Sequence, residues 1–245
     1  MRNAVLVTRP LPSARETADR VAALGWRPIV SPLMRVEPTG TPLPPLRAFD
    51  GVVVTSERAL DAVGAAVAEL RAVPVHAVGR RTAGRIGAVA TQAPDLRTLA
   101  ERLEGTRDRL LHVAGDERAG DLAAMLPEAE VVVHVAYRTP PLPLSDEAVE
   151  CLRRNEVAAV LLFSPRSARL LRDAWPEGVD RAGVEAVAIS AAVARAWEGQ
   201  ASGGQASGGQ ASRGQAWKGR VRVAKTPDAA AVLAALGPFD GRRAP

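Results

Sequence analysis

"GVVVTSERAL" spans Gly51–Leu60, and "AVLLFSPRSARLL" spans Ala159–Leu171. Each is a run of β-branched or aliphatic residues, then a hydroxyl residue, then an Arg-bearing helix start. A continuous apolar run this short, bounded by a turn signal, reads as a strand buried on both faces, as in a parallel sheet. Ser ahead of helix-forming residues reads as an N-cap, because its side chain can accept from an unpaired backbone N–H of the first turn. The stretch is therefore a strand–helix unit, and the chain contains it twice, roughly a hundred residues apart.

The duplication extends outward from both copies. After the first come "VPVHAVG" with a helix beyond Gly79, then "AVATQAPDLRTLAERL"; after the second come "VEAVAIS" with a helix beyond Ser190, then "VRVAKTPDAAAVLAAL". Pro94-Asp95 matches Pro227-Asp228, with a carboxylate placed near the positive end of each helix. The flanking pieces also correspond: "AVLVTRP" through "RPIVSPLMRVEP" opens the chain, and "RLLHVAGDERAGDLAAMLPEAEVVVHVAYRTPP" precedes the second half. In the opening piece Ala4–Val7 is a strand, Ser13 and Glu16 read as a capping box, and Gly25 stops the helix. Matched units in one order, at this spacing, predict two domains rather than a solenoid. The expected fold class is α/β, with two similar parallel-sheet domains of the flavodoxin or Rossmann-like kind.

One segment breaks the pattern. "GQASGGQASGGQASRGQA", residues 199–216, is a tandem repeat with almost no apolar content. It reads as a flexible insertion between a helix and the strand "RVRVA", since lengthening an existing loop costs little closure entropy. Its removal is expected to leave function intact.

Composition narrows the classes of function. The chain has 245 residues, 47% hydrophobic and 24% charged, which suits a globular protein with a full core. No apolar run reaches the length of a membrane span, and the N-terminus is too briefly apolar for a signal peptide, so a cytoplasmic location is expected. Cys151 is the single cysteine, which excludes an intramolecular disulfide and a cysteine-based metal site. His76, His112 and His134 each lie inside an apolar strand-like run and lack the spacing of a metal motif, so no metal is expected. Lys218 and Lys225 are the only lysines among 32 basic residues, and the net charge is +5. Guanidinium groups grip carboxylate or phosphate in a two-pronged way, which points to an acidic small-molecule partner. Aromatics are only 3%, with no basic run interleaved by aromatics, which argues against nucleic acid.

In a parallel sheet, ligands bind beyond the carboxyl ends of strands, where helix N-termini offer free N–H groups. The residues at those points are Thr8 and Arg9, Ser56 and Arg58, Gly79 and Thr82, Gly115 and Asp116, Ser164, Arg166 and Ser167, and Ser190. Each is also an ordinary capping position; recurrence in both halves is what marks them as a group. No Gly-x-Gly-x-x-Gly follows the first strand, and neither a phosphate loop nor a Gly-x-Ser-x-Gly elbow is present, so no nucleotide cofactor is expected. Tyr137, the only tyrosine, ends the strand "VVVHVAY". A phenol can donate a proton to a leaving oxygen, although a strand-end tyrosine is also common packing at a domain junction.

"VLVTRP", "VVVTS", "LLFSP", "AVGRRTA", "HVAGDERAGDL" and "VAYRTP", in this order, resemble the uroporphyrinogen-III synthase family over nearly the whole chain outside the insertion. The resemblance implies two lobes joined by two extended connectors, with a cleft between them. One domain would comprise residues 1–36 and 141–245, the other residues 38–139. It implies a monomeric, cofactor-independent lyase of tetrapyrrole (porphyrin, heme) biosynthesis. Its substrate would be hydroxymethylbilane, a linear tetrapyrrole with eight carboxylates. The reaction loses water, inverts the last pyrrole ring through a spiro intermediate and closes the macrocycle. By match to the family, Tyr137 would assist departure of the hydroxyl, and Ser56, Thr82, Ser164 and neighbouring N–H groups would hold carboxylates. The chain departs from the family where Gly-Pro-x-Thr-Ala is common: it reads Ser190-Ala191-Ala192-Val193, without the Thr hydroxyl. A non-catalytic tetrapyrrole-binding relative is the alternative this departure raises.

Overall fold

A computed structural model describes residues 2–118, 120–199 and 219–241. The chain divides into two compact units, Met1–Arg35 with Pro141–Pro245, and Val36–Pro140. In chain order the first unit begins with β1 (Ala4–Val7), α1 (Ser13–Ala23) and β2 (Arg27–Val30). The second contains β3 (Glu37–Pro38), β4 (Gly51–Val54), α2 (Glu57–Val63), β5 (Val75–Val78), α3 (Arg80–Ile86), β6 (Thr91–Ala93), α4 (Leu96–Arg102), β7 (Arg109–Gly115), α5 (Leu122–Met125) and β8 (Glu130–Arg138). The first unit resumes with α6 (Asp146–Arg153), β9 (Val157–Leu162), α7 (Pro165–Asp173), β10 (Glu185–Ala188), α8 (Ala191–Glu198), β11 (Val221–Val223) and α9 (Ala229–Leu236).

The sheet of the first unit runs β11-β10-β9-β1-β2, parallel throughout. That of the second runs β3-β8-β7-β4-β5-β6, parallel except for the short antiparallel β3. Without β3 the two orders superimpose: β8-β7-β4-β5-β6 corresponds to β2-β1-β9-β10-β11. The fold class is thus α/β with two parallel-sheet domains. The repeated stretches are β4–α2 and β9–α7, and the opening β1–α1–β2 is the counterpart of β7–α5–β8. The chain visits equivalent elements in a permuted order, because the first unit is assembled from both ends of the sequence.

The apolar runs form central strands because both faces of each sheet are covered. In the first unit Leu6, Val160, Leu162 and Trp197 pack on one face, and Val5, Val7, Leu161 and Trp26 on the other. In the second unit Val52, Val54, Leu111 and Val113 pack against α2 and α3, while Val53 and Leu110 pack on the side of Leu99 and Leu122. Every residue of β1 and β4 is buried, which is why neither shows the alternation of a half-exposed strand.

The expected caps are largely present. Ser56, Ser164 and Ser190 accept from Ala59, Ser167 and Val193 N–H, and Asp95 and Asp228 accept from Thr98 and Ala231 N–H. The capping box at Ser13 is corrected. The cap of α1 is Pro12, already in helical conformation, with no side-chain hydrogen bond, so Ser13 falls inside the first turn and only its carbonyl is used, by the Thr17 hydroxyl. Beyond α6 the chain reverses at Asn155 (φ +56°), and Glu156 N–H returns to Cys151 C=O; Asn tolerates this left-handed geometry better than most residues. Gly199 caps α8, and residues 200–216 of the Gly-Gln-Ala-Ser insertion lie outside the described residues. Among the described residues no helix is long and apolar enough to cross a membrane.

Candidate functional site

Strand order locates where a ligand can sit. In the second unit the chain moves from β4 outward through β5 to β6, then returns to β7 and moves the other way to β8. The switch falls between β4 and β7, and a crevice opens beyond the carboxyl ends of strands at such a point. Ser56 follows β4, Gly115 ends β7 with Asp116 next, and Tyr137 lies near the end of β8 on the far side of β7. In the first unit the switch falls between β1 and β9; Thr8 and Arg9 follow β1, and Ser164, Arg166 and Ser167 follow β9. Gly79 with Thr82, and Ser190, occupy the equivalent ends of β5 and β10.

The second unit brings four of these residues into one constellation. The Tyr137 hydroxyl lies 3.2 Å from Ser56 Oγ. Ser56 Oγ also accepts from Ala59 N–H at 3.2 Å, which fixes it at the helix start. A serine oxygen that already accepts from the backbone can give its own proton to the phenol oxygen. In that arrangement the phenol proton is left available to another acceptor. Tyr137 is turned into this position by a β-bulge. Ala114 pairs with Val135 but Gly115 pairs with Tyr137, so Ala136 is an extra residue and alternation along β8 is broken. The outer edge of the bulge is held by Thr39, whose N–H donates to Ala136 C=O at 2.9 Å and whose hydroxyl donates to Val135 C=O at 2.8 Å.

Asp116 anchors the chain that follows. Its backbone N–H donates to Tyr137 C=O at 2.9 Å. Its Oδ1 accepts from Thr139 N–H and from the Thr139 hydroxyl, both at 3.2 Å. Gly115 lies under the Tyr137 ring: a Cβ there would fall 2.6 Å from Tyr137 Cζ. Arg58, half-buried, lies in the first turn of α2. Gly79 caps α3 with φ +84°, a conformation that excludes most side chains, and Thr82 is buried one turn on.

A second pair supports this site from beneath and was not legible in the sequence. His112 Nε2 lies 3.3 Å from the Thr55 hydroxyl, adjacent to Ser56. Thr55 and His112 share the face of the sheet away from Tyr137. Burial, and then the charge of Arg118, push the His112 imidazolium down to about 4, so the ring is neutral around pH 7. Its Nδ1 is buried and has no hydrogen-bond partner among the described residues. His76 and His134 are also lowered by burial, consistent with strand histidines in the core. The hydroxyl-bearing residue at each strand end was the visible signal; its partner on the neighbouring strand β7, distant in sequence, was not.

In the first unit Arg9 lies over the Phe163 ring, 4.3 Å from its centroid, and its Nη1 donates to Thr17 Oγ1 at 3.1 Å. Thr8 is buried. Ser164 Oγ is 2.6 Å from Ser167 Oγ, and Ser167 is buried with its hydroxyl turned back toward the Ser164 carbonyl. That places Ser167 within the cap of α7, while Arg166 is half-buried beside it. Ser190 Oγ caps α8 through Val193 N–H. No set of three His, Cys, Asp or Glu placed to hold a metal ion occurs among the described residues.

A duplicated α/β protein, with hydroxyl and arginine residues at its topological switch points and a bulge-turned tyrosine, is the class these observations define. The family model of uroporphyrinogen-III synthase HemD matches residues 15–202, and the chain belongs to that family. The fold is shared with solved structures at low identity. Uroporphyrinogen-III synthetase from Helicobacter pylori 26695 is similar at 16% identity and a TM-score of 0.62, over 96% of this chain and 97% of that one. A mutant uroporphyrinogen III synthase from the extremely thermophilic bacterium Thermus thermophilus is similar at 17% identity and a TM-score of 0.58, over 95% of this chain and 96% of that one. No curated protein matches the sequence.

Proposed function

We propose that the protein is a uroporphyrinogen-III synthase, a cyclising lyase that converts hydroxymethylbilane to uroporphyrinogen III with loss of water and inversion of the last ring. The observation that carries the reading is the hydrogen-bonded Ser56–Tyr137 pair at the switch point of a chain in this family. Tyr137 gives its proton to the departing hydroxyl, which leaves as water. Ser56 orients the phenol so that its proton points at the substrate rather than into the protein.

The eight carboxylates of the substrate suit what each unit offers. Arg9, Arg58 and Arg166 supply charge, and the helix starts after Ser56, Gly79, Ser164 and Ser190 supply N–H groups. Ring closure without inversion competes in water, so the protein's work is chiefly conformational: holding the linear chain so that the inverting route is faster. No residue in this reading requires a metal or cofactor.

A second reading rests on one observation. The start of α8 carries Ala191, Ala192 and Val193, so its contacts to a ligand are limited to backbone N–H groups and the Ser190 cap. A protein that bound the linear tetrapyrrole without directing its closure would fit that start. Isomer analysis separates the two. Hydroxymethylbilane is generated in place, protein is added, and the oxidised products are resolved into types I and III. Type III in excess over the protein-free control supports the synthase. Type I alone, from folded protein that binds the bilane, supports the binding module.

A further inference from the structure

We infer that Gly115 and Asp116 are positioning residues that aim the Tyr137 hydroxyl, rather than contacts for a substrate carboxylate; the inference rests on the catalytic reading of Tyr137. Three observations converge on it. The Tyr137 ring lies directly on Gly115, so that a Cβ there would stand 2.6, 2.8 and 2.9 Å from Cζ, Cε2 and the hydroxyl oxygen. The backbone on the carboxyl side of the tyrosine is gripped by Asp116, through its N–H to Tyr137 C=O and its carboxylate to Thr139 N–H and hydroxyl. The bulge at Ala136 puts Tyr137 opposite Gly115 and no other residue of β7.

The physical consequence is specific. A residue directly across a parallel ladder normally projects its side chain beside its neighbour. Here the neighbour is a glycine, and the phenol folds over it to reach Ser56. Gly115 does not have a positive φ, so its backbone accepts alanine, and the obstruction is the ring alone. Tyr137 belongs to the buried apolar cluster that also holds Val54, Leu60, Val113 and Ala136, and it is 7% exposed. A methyl group at residue 115 therefore drives the free end of the phenol outward by about 1 Å to regain ordinary contact, and the 3.2 Å bond to Ser56 is lost. A misplacement of that size at a reacting group lowers rate by about 10- to 100-fold.

The test uses the full chain labelled with tyrosine carrying carbon-13 at Cζ. Tyr137 is the only tyrosine, so one resonance reports its ring and nothing else. For Gly115→Ala the expected results are a displaced Cζ resonance and a kcat for type III formation lower by about 10- to 100-fold, with KM within about threefold. Placed on Tyr137→Phe, the same substitution is expected to cause no further loss of kcat. An unmoved resonance overturns the inference, and so does a raised KM at unchanged kcat, which would make Gly115 a substrate contact. A full additional loss in the Tyr137→Phe background overturns it as well.

Should Gly115→Ala fail to fold, Asp116→Ala carries the same test, since it removes the Thr139 anchor and leaves the seat under the ring. A shifted resonance with lowered kcat and unchanged KM is expected, and an unmoved resonance with raised KM refutes the role. If Tyr137→Phe itself keeps full rate, the catalytic reading of Tyr137 fails. The resonance then still reports whether Gly115 seats the ring.

Discussion

Ser56 has two separable duties, and a double-mutant cycle with Tyr137 divides them. Its oxygen caps α2 by accepting from Ala59 N–H and meets the Tyr137 hydroxyl, each at 3.2 Å. Loss of a serine N-cap costs about 1 kcal/mol, and loss of a part-buried neutral hydrogen bond costs about 1 kcal/mol more. Ser56→Ala should therefore destabilise by about 2 kcal/mol, and Tyr137→Phe by about 1 kcal/mol. Because the two share one bond, the double variant should lose about 2 kcal/mol and not 3, a coupling of about 1 kcal/mol. Ser145→Ala is the internal control: among the described residues its oxygen accepts only from Ala148 N–H, so the cap cost alone, about 1 kcal/mol, is expected. The assay is urea unfolding followed by far-ultraviolet circular dichroism at fixed pH. Additivity of the two single variants within about 0.3 kcal/mol would refute the shared bond, and with it the claim that Ser56 orients the phenol.

Two further outcomes follow from the cores and the buried histidine. Leu6 is fully buried in β1, an interior strand between β9 and β2, so Leu6→Ala should cost about 2–5 kcal/mol in urea unfolding, and a loss below about 1 kcal/mol would contradict the packing described. His112 is held neutral by burial, with its pKa lowered from 6.5 to about 4, so between those values the unfolded chain binds a proton that the folded chain does not. Stability from this residue is full above pH 6.5 and falls as pH drops to about 4, by about 3 kcal/mol in all, with no further loss from this residue below that. His112→Gln should flatten that slope in unfolding free energy measured against pH; an unchanged slope would mean that His112 is not protected in the folded state.

The architecture was legible because its signals are local. A buried parallel strand is a short apolar run, and its helix start needs a cap, so "VVVTS" and "LLFSP" announce the same unit twice. The matched Pro-Asp pairs likewise became matched caps, at Asp95 and Asp228. The failure at Ser13 has the same local origin: the spacing to Glu16 fits a capping box, but Pro12 already adopts helical angles and takes the cap position. What sequence could not reveal is lateral. Tyr137 was visible as a lone phenol at a strand end, but the bulge that turns it toward Ser56 is an extra residue in the pairing of two strands, and no periodicity within β8 records it. The same holds for Thr55 and His112, which meet across the sheet from strands far apart in sequence. Ser167 carries the opposite lesson. A hydroxyl at a helix start is equally suited to a ligand or to its own backbone, and here burial directs it to the cap.

The proposed function stands or falls on whether ring closure is directed through Tyr137. The most direct measurement is a single-turnover time course, with protein in excess over freshly generated hydroxymethylbilane and types I and III resolved at each point. Wild-type and Tyr137→Phe proteins are run beside a protein-free control. The wild type is expected to yield type III almost alone. Tyr137→Phe should form it at least about tenfold more slowly, with type I rising toward the control as uncatalysed closure overtakes it. Type I alone from the wild type would contradict the synthase reading, and an undiminished rate from Tyr137→Phe would contradict the role of the phenol.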